Sequence, residues 1–214
     1  MVPDRWVLES NAGDTGGAYR WLLEFVYGAA DAPAHAAAEA AIAETSSGER
    51  QIFCHLGPVV FSLADMSPFK PAGMLFRFPL LHVDRPARGE VLHAYLESIA
   101  FAIRGNCEQI AAVAGCPVPA LALSGGMTQS PTLVRLVADT LGVPVSVAEV
   151  PESASLGCAI LAAVGGGVYA SVAEAVAAMS RARRVDPEAG RAAACDERYR
   201  KWRSVYDLLQ TWTL

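Results

Sequence analysis

The segment from Leu121 to Leu141 constrains the fold more than any other part of the chain. The apolar run LAL is followed by the turn SGGMTQS and then by PTLVRLVADTL, where apolar residues recur at helical spacing. This order predicts a buried strand, a glycine turn and a helix that begins at Pro131 with Ser130 as its N-cap. A strand that leads directly into a helix is the repeating unit of an α/β layer, so the segment favours an α/β fold.

The two glycines of this turn, Gly125 and Gly126, have a chemical interpretation as well as a structural one. Without a Cβ, they let a ligand lie directly against the backbone, and free amides at a helix start favour anionic groups. That combination suits a nucleotide. A tight turn that ends in a good N-cap would use the same residues, so both interpretations stay open at this point.

A second glycine-rich stretch, NAGDTGG, precedes the helical pattern AYRWLLEFVYG. Gly13, Gly16 and Gly17 are predicted to form the loop between a short strand at residues 5–10 and this helix. Neither stretch is a P-loop, because GxxxxGK[ST] is absent, and neither is a GxGxxG dinucleotide fingerprint. Two glycine-bearing strand-to-helix loops in one chain favour a shared site where they converge.

The rest of the chain reads as alternating helices and strands. A long core helix is predicted from Gly89, because apolar residues recur every three or four positions to Ile110. Residues 31–48 are predicted to be helical, 51–86 to hold short strands and irregular chain, and VPVSVAEV to form a strand parallel to PALALSG. SASLGCAILAAVGGG is predicted to be a small-residue helix packed tightly against a neighbour and ending at Gly165 to Gly167.

Two further helices are predicted after residue 170. The first is SVAEAVAAMSRARR, with Arg181, Arg183 and Arg184 near its end, where cations suit the helix dipole. The second is a terminal helix that docks through one face, formed by Trp202, Val205, Tyr206, Leu209 and Trp212.

Composition excludes several classes of function. The formal charge of −5 and the pI near 5.4 give no electrostatic basis for sequence-independent nucleic-acid binding. No apolar run is long enough to span a bilayer, and the N-terminus lacks the order of a secretory signal, so a cytoplasmic protein is expected. The five cysteines have no CxxC spacing, which indicates neither a zinc site nor a disulfide framework.

Four blocks of the sequence carry a family resemblance. WVLESNAGDTGGAYRWLLEF, YLESIAFAIRGNCEQI, LALSGGMTQSPTLVRLVADTLGVPV and ESASLGCAILAAVGGGVYAS resemble, in this order and spacing, the C-terminal domain of the FGGY family of carbohydrate kinases. The resemblance implies an actin-like, ribonuclease-H-type α/β fold with a mixed sheet flanked by helices. It also implies ATP- and Mg²⁺-dependent phosphoryl transfer to a sugar or polyol hydroxyl.

The resemblance also implies which residues bind the nucleotide. In this family the glycine before the first helix lies along the phosphates and the residue four positions later contacts the nucleotide; here they are Gly16 and Arg20. Arg20 replaces the glutamine of many glycerol kinases, but an arginine can still reach phosphate oxygens. Gly126 with Ser130, beside Gly125, would hold the ribose and adenine. Gly157 would permit close approach beside the adenine, with plain helix packing as the alternative.

No residue here matches the family's aspartate base, which the resemblance places with most sugar contacts in an N-terminal domain. Turn or solvated roles are expected for Asp65, Asp84, Asp139 and Asp186, and satisfied structural roles for the four histidines and Glu97. We therefore expect residues 1–214 to be the C-terminal, nucleotide-binding domain of a longer kinase whose sugar-binding N-terminal domain is absent. Such a chain would bind ADP or ATP weakly, would not phosphorylate a sugar alone, and could form a homodimer through its uncovered face.

The particular sugar or polyol is left open by the sequence. FSLADMSPFKPA and the C-terminal stretch look closer to the xylulose and autoinducer-2 kinase branches than to glycerol kinases. A competing hypothesis is a regulatory or scaffold domain with the same fold that has lost nucleotide chemistry. The glycine pairs argue against that alternative.

Overall fold

The structure is a computed structural model, and it describes residues 7–45, 52–62, 71–77 and 85–211. Within these ranges no helix combines the length and apolar character that crossing a bilayer requires. The elements in chain order are α1 (Thr15–Tyr27), α2 (Ala32–Glu44), β1 (Ile52–Cys54), β2 (Met74–Phe76), α3 (Arg88–Ala114), β3 (Leu121–Leu123), α4 (Pro131–Leu141), β4 (Val145–Ala148), α5 (Ser153–Gly165), α6 (Val172–Met179), β5 (Ala182–Val185) and α7 (Ala192–Gln210).

The main sheet is mixed and has the order β3-β4-β5. β3 pairs with β4 in parallel, with Leu121 opposite Val145 and Leu123 opposite Val147, as the α/β pattern predicts. β5 adds to β4 in the antiparallel direction, with Val145 opposite Val185. The prediction of a helix through Arg184 is therefore wrong: α6 ends at Met179, and Arg183 and Arg184 lie in an exposed strand. Two arginines suit the solvated edge of a sheet, where charge also discourages pairing with another chain.

α3 is the centre of the molecule. Its middle is buried on nearly every side, so Leu92, Tyr95, Leu96, Ala100 and Phe101 are all 3% exposed or less. α2, α4 and β1 pack around it. The predicted periodicity from Gly89 to Ile110 is thus confirmed, and Gly89 itself is required because a Cβ there would lie 2.1 Å from the carbonyl oxygen of Ala41.

The C-terminal helix α7 holds residues 52–60 through three side chains spaced four residues apart, which places them on one face of the helix. Arg198 donates to the carbonyl of Ile52 (3.3 Å), and the Trp202 indole donates to that of Cys54 (2.8 Å). The Tyr206 hydroxyl accepts from the amide of Val60 (2.9 Å) and donates to the Val60 carbonyl (3.1 Å). The docking predicted for the terminal helix is confirmed; Trp212 lies outside the described residues.

Two other predicted elements differ from the structure. Residues 7–10 are irregular, so the strand predicted at 5–10 is wrong over its described part, and residues 5 and 6 lie outside the description. α5 is a helix as predicted and ends at Gly165, but it is not tightly packed, because Ile160 is its one buried residue. Its uniformly small, apolar sequence has no polar face to show which side is covered.

Candidate nucleotide-binding cleft

The first wall of the candidate site is the start of α1. Asp14 is the N-cap, and its carboxylate accepts a hydrogen bond from the amide of Gly17 at 2.8 Å. Gly16 and Gly17 therefore belong to the first helical turn and not to the preceding loop, which corrects the predicted boundary. The sequence signal for this cap is a single aspartate three residues before Gly17, which the run of glycines obscures.

The second wall is the turn between β3 and α4. Gly125 adopts φ +97°, a conformation that glycine reaches without strain, and Gly126–Gln129 form a single 3-10 turn. Ser130 then caps α4 by accepting from the amide of Leu133 at 3.1 Å, as predicted. A Cβ added at Gly126 would meet no atom within 4 Å, so the open space beside this glycine belongs to the cleft and not to packing.

These two walls face each other across a cleft of about 790 Å³. Four of the residues proposed from the sequence line it, namely Gly16, Arg20, Gly126 and Ser130. The two glycine-bearing helix starts thus converge, although they are more than a hundred residues apart in the chain. Gly125 adjoins the cleft through Gly126 but does not line it.

Gly157 also lies outside the cleft lining, and unlike Gly125 it does not adjoin a residue that lines it. A Cβ at Gly157 would meet no atom within 4 Å, so no neighbouring element packs closely there, and helix packing does not explain this glycine. α5 is tied to the end of β3 by a hydrogen bond between the Ser153 and Ser124 hydroxyls at 3.0 Å.

Arg20 extends from α1 at the rim of the cleft. Its side chain is 74% exposed and pairs with Glu24 one helical turn away at 3.2 Å. A pair this exposed contributes little to stability. The guanidinium can therefore leave Glu24 for an anionic ligand at low cost.

The structure adds a wall that sequence reasoning missed, formed by α2 and the inner face of α1. Tyr19 is buried and stacks on Tyr95, with ring centroids 5.6 Å apart, while His35 meets its edge. Burial raises the pKa of Tyr19, and the negative charge of Glu39 adds to the rise, so the phenol stays protonated. His35 and Glu39 line the same cleft.

Glu39 joins α2 to the start of α4. Its two carboxylate oxygens accept hydrogen bonds from the hydroxyls of Ser130 (2.5 Å) and Thr132 (2.6 Å). In the sequence, Glu39 is one of two glutamates in an alanine-rich helix whose buried positions are Ala34, Ala38 and Ile42. No local pattern distinguishes it, because its partners are about ninety residues away.

Residues 57–60 contact and support the glycine loop before α1. The amide of Val59 donates to the carbonyl of Ala12 at 2.9 Å, and the Tyr95 hydroxyl donates to the carbonyl of Thr15 at 2.6 Å. Gly13, at φ +77°, has its Cβ position only 3.0 Å from the carbonyl oxygen of Gly57. The cleft wall is therefore connected to the segment that α7 holds.

Three side chains considered from the sequence lie away from the cleft. Glu97 is a buried structural carboxylate, as predicted, paired with Arg198 at 2.7 and 2.5 Å. Asp139 is not solvated as predicted: it is 2% exposed and accepts from the amide of Glu188 at 2.7 Å. His55 is buried, but it is not satisfied as expected, because neither ring nitrogen has a partner in the described part of the chain. Asp65, Asp84 and His82 lie outside the described residues.

Comparison with known proteins identifies a family for this chain. Residues 1–166 match the FGGY family of carbohydrate kinases, C-terminal domain. Similar curated proteins include a glycerol kinase of Gloeobacter violaceus, 38% identical over 91 residues (42% of this chain, 18% of that protein). An autoinducer-2 kinase of Salmonella paratyphi B is 33% identical over 120 residues (56% and 23%).

Solved structures give the same result. A xylulose kinase from Rhodospirillum rubrum superposes with a TM-score of 0.71 at 28% identity, covering 91% of this chain and 38% of that one. A Plasmodium falciparum glycerol kinase with ADP superposes with a TM-score of 0.72 at 17% identity, covering 95% and 38%, and shows likeness of fold. The chain thus spans well under half the length of the relatives that it matches.

The fold is therefore that of the actin-like ATPases, with a mixed sheet flanked by helices. Within that class, the chain belongs to the FGGY family of carbohydrate kinases and corresponds to its C-terminal domain.

Proposed function

We propose that residues 1–214 form the nucleotide-binding half of an ATP-dependent carbohydrate kinase, with the sugar or polyol bound mainly by an N-terminal domain that these residues do not include. The observation that carries the proposal is the convergence of Gly16, Arg20, Gly126 and Ser130 on one cleft. A cytoplasmic location, where ATP is available, goes with this proposal.

The cleft has what phosphate groups require. The first amides of a helix have no acceptor within the helix, and the N-terminus of α1 carries the positive end of its dipole. Gly16 lies in that first turn, and a Cβ there would meet no atom within 4 Å, so a phosphate can approach the backbone. Arg20, one turn further along α1, supplies a cation with several donors.

In phosphoryl transfer the protein positions the reactants and stabilises charge. Mg²⁺ would neutralise phosphate charge when it enters with the nucleotide. The described residues contain no group of three or more His, Cys, Asp or Glu side chains suited to holding a metal. On this proposal the chain binds and orients the nucleotide, and the proton-accepting base lies in the other domain.

The test is a thermal melt of the chain with and without millimolar Mg-ADP or Mg-ATP, because a ligand that binds the folded state alone must raise Tm. Gly126→Val should abolish the shift, since the added side chain would occupy the space expected for the ligand, and its Cβ would meet no protein atom within 4 Å. Gly165→Val is the matched control: that glycine also has nothing within 4 Å, and it lies outside the cleft.

Absence of any shift with the unaltered chain would contradict nucleotide binding by this domain and favour a regulatory or scaffold role. A shift that persists in Gly126→Val would place the nucleotide elsewhere.

A further inference from the structure

Glu39 is the one carboxylate among the described residues that line the cleft. It is half-buried, and it brings negative charge into a site that we propose for a phosphorylated ligand. A carboxylate repels phosphate oxygens, so the phosphates must lie away from it, near Gly16 and Arg20. The part of the ligand that faces Glu39 must be uncharged and must donate hydrogen bonds.

The hydrogen bonds around Glu39 fix this preference for donors. The Ser130 hydroxyl gives its proton to Glu39 and accepts from the amide of Leu133, so it has no proton left for a ligand. Thr132 also gives its hydroxyl proton to Glu39. A carboxylate has about four lone-pair sites, and these two hydroxyls occupy two of them. The sites that remain open on Glu39 are therefore acceptors.

Two groups on an adenine nucleotide could meet those acceptors, the ribose hydroxyls and the adenine amine. Gly126 and Ser130 stand at the two ends of one 3-10 turn, which spans about 8 Å at the usual rise of such turns. With the phosphates near Gly16 and Arg20, the moiety of the ligand next to them extends toward Gly126, Ser130 and Glu39 across the cleft. In a nucleotide that moiety is the ribose.

We propose that Glu39 accepts a hydrogen bond from a ribose hydroxyl and makes the cleft selective for ribonucleotides over deoxyribonucleotides. The inference rests on the proposed function, since it requires a nucleotide in this cleft. A hydrogen bond to a charged acceptor in a partly buried site corresponds to about a tenfold change in affinity.

The test is calorimetric titration of the chain with four probes: ADP, 2′-deoxy-ADP, 3′-deoxy-ADP and IDP, all with Mg²⁺. The unaltered chain should bind at least one deoxy form about tenfold more weakly than ADP. In Glu39→Gln that ratio should fall to about twofold, because a neutral amide oxygen is a weaker acceptor. Glu44→Gln makes the same change on the same helix at an exposed position outside the cleft and should leave the ratio unchanged.

The outcomes separate this inference from the proposed function. Failure to bind ADP at all would overturn both. Binding of ADP that is lost in Gly126→Val, with equal affinity for all deoxy forms, would overturn the ribose assignment alone. A preference for ADP over IDP that disappears in Glu39→Gln would assign the contact to the adenine amine instead. A lower Tm in Glu39→Gln with unchanged affinity ratios between ADP and its deoxy forms would mean that Glu39 has only a structural role, linking α2 to α4.

Discussion

His55 is a titratable side chain enclosed by aromatic rings. It is 5% exposed, stacks on Trp202 with ring centroids 5.3 Å apart, and lies 6.5 Å from the ring of Tyr206. Burial lowers the pKa of His55 from 6.5 to about 4, because the charged imidazolium would lose its hydration without gaining an acceptor. The folded state therefore favours the neutral imidazole of His55.

This shift predicts a loss of stability in mild acid. The unfolded chain binds a proton at His55 below about pH 6.5, whereas the folded chain resists it until about pH 4. The free energy of unfolding should therefore be unaffected by His55 above pH 6.5 and should decline by up to about 3 kcal/mol as the pH falls to 4. Urea unfolding titrations at several pH values between 4 and 7.5 measure this change in the free energy of unfolding.

His55→Phe keeps a flat ring against Trp202 and removes the titration. Its stability should vary less with pH over the same interval, and at pH 7 it should be at least as stable as the unaltered chain. The carboxylates whose pKa is lowered, such as Asp196 beside Arg104 and Glu197 beside Lys201, begin to lose their contribution only at the acid end of this interval, and they do so equally in both proteins. Identical pH profiles for both proteins would refute the role given to His55.

Which individual residues could be predicted depends on how local their partners are. Ser130 is bound to an amide three positions away, so its cap is visible in the sequence as Ser-Pro before an apolar periodicity. Glu39 and Asp139 receive their roles from partners 91 and 49 positions away. Charge alone suggests solvation for such residues, and that expectation is wrong for Asp139 because the fold supplies an amide.

Among the elements, α7 has an effect beyond its own burial. Arg198, Trp202 and Tyr206 hydrogen-bond to backbone groups of residues 52–60. Backbone polar groups that are buried and unpaired cost about 1–3 kcal/mol each, so these contacts are needed to bury that segment.

Tyr206→Phe should therefore destabilise the chain by about 2 kcal/mol, since it leaves both the amide and the carbonyl of Val60 without the hydroxyl that binds them. Denaturant unfolding gives this difference directly. Tyr27→Phe is the comparison variant, because the Tyr27 hydroxyl is buried with no hydrogen-bond partner among the described residues. That change should be neutral or slightly stabilising. Equal losses from the two variants would mean that the Val60 contact is not what stabilises segment 52–60.

Elements with a strong hydrophobic periodicity could be predicted from the sequence. Elements whose structure depends on pairing with a neighbouring element could not. α3 and α4 show their buried faces as apolar repeats, and the parallel pairing of β3 with β4 follows from the helix between them. β5 reads ARRV, which has no alternation and follows a helix, so its strand character comes from pairing with β4. Tertiary context decides such short segments.

At the scale of the whole molecule, the proposed function gives the described cleft one side of a two-sided reaction. A cleft that orients a nucleotide gives no phosphoryl transfer without an acceptor hydroxyl held in line and a base to take its proton. We therefore expect the 214-residue chain to bind ADP without phosphorylating xylulose, glycerol or related polyols. A coupled assay of sugar-dependent ADP release, with a no-protein blank, measures this. Release above the blank would show that the described cleft holds both substrates.

The hydrogen bonds from α7 to residues 52–60 join positions 146 to 148 apart in sequence. During synthesis at about 5–20 residues per second, the earlier segment is made roughly 7 to 30 seconds before its partners exist. The loop in front of α1 is hydrogen-bonded to that segment, from the amide of Val59 to the carbonyl of Ala12. Its support is therefore also incomplete until α7 has been made. A nascent chain of this protein consequently carries an incompletely supported cleft until α7 has been synthesised.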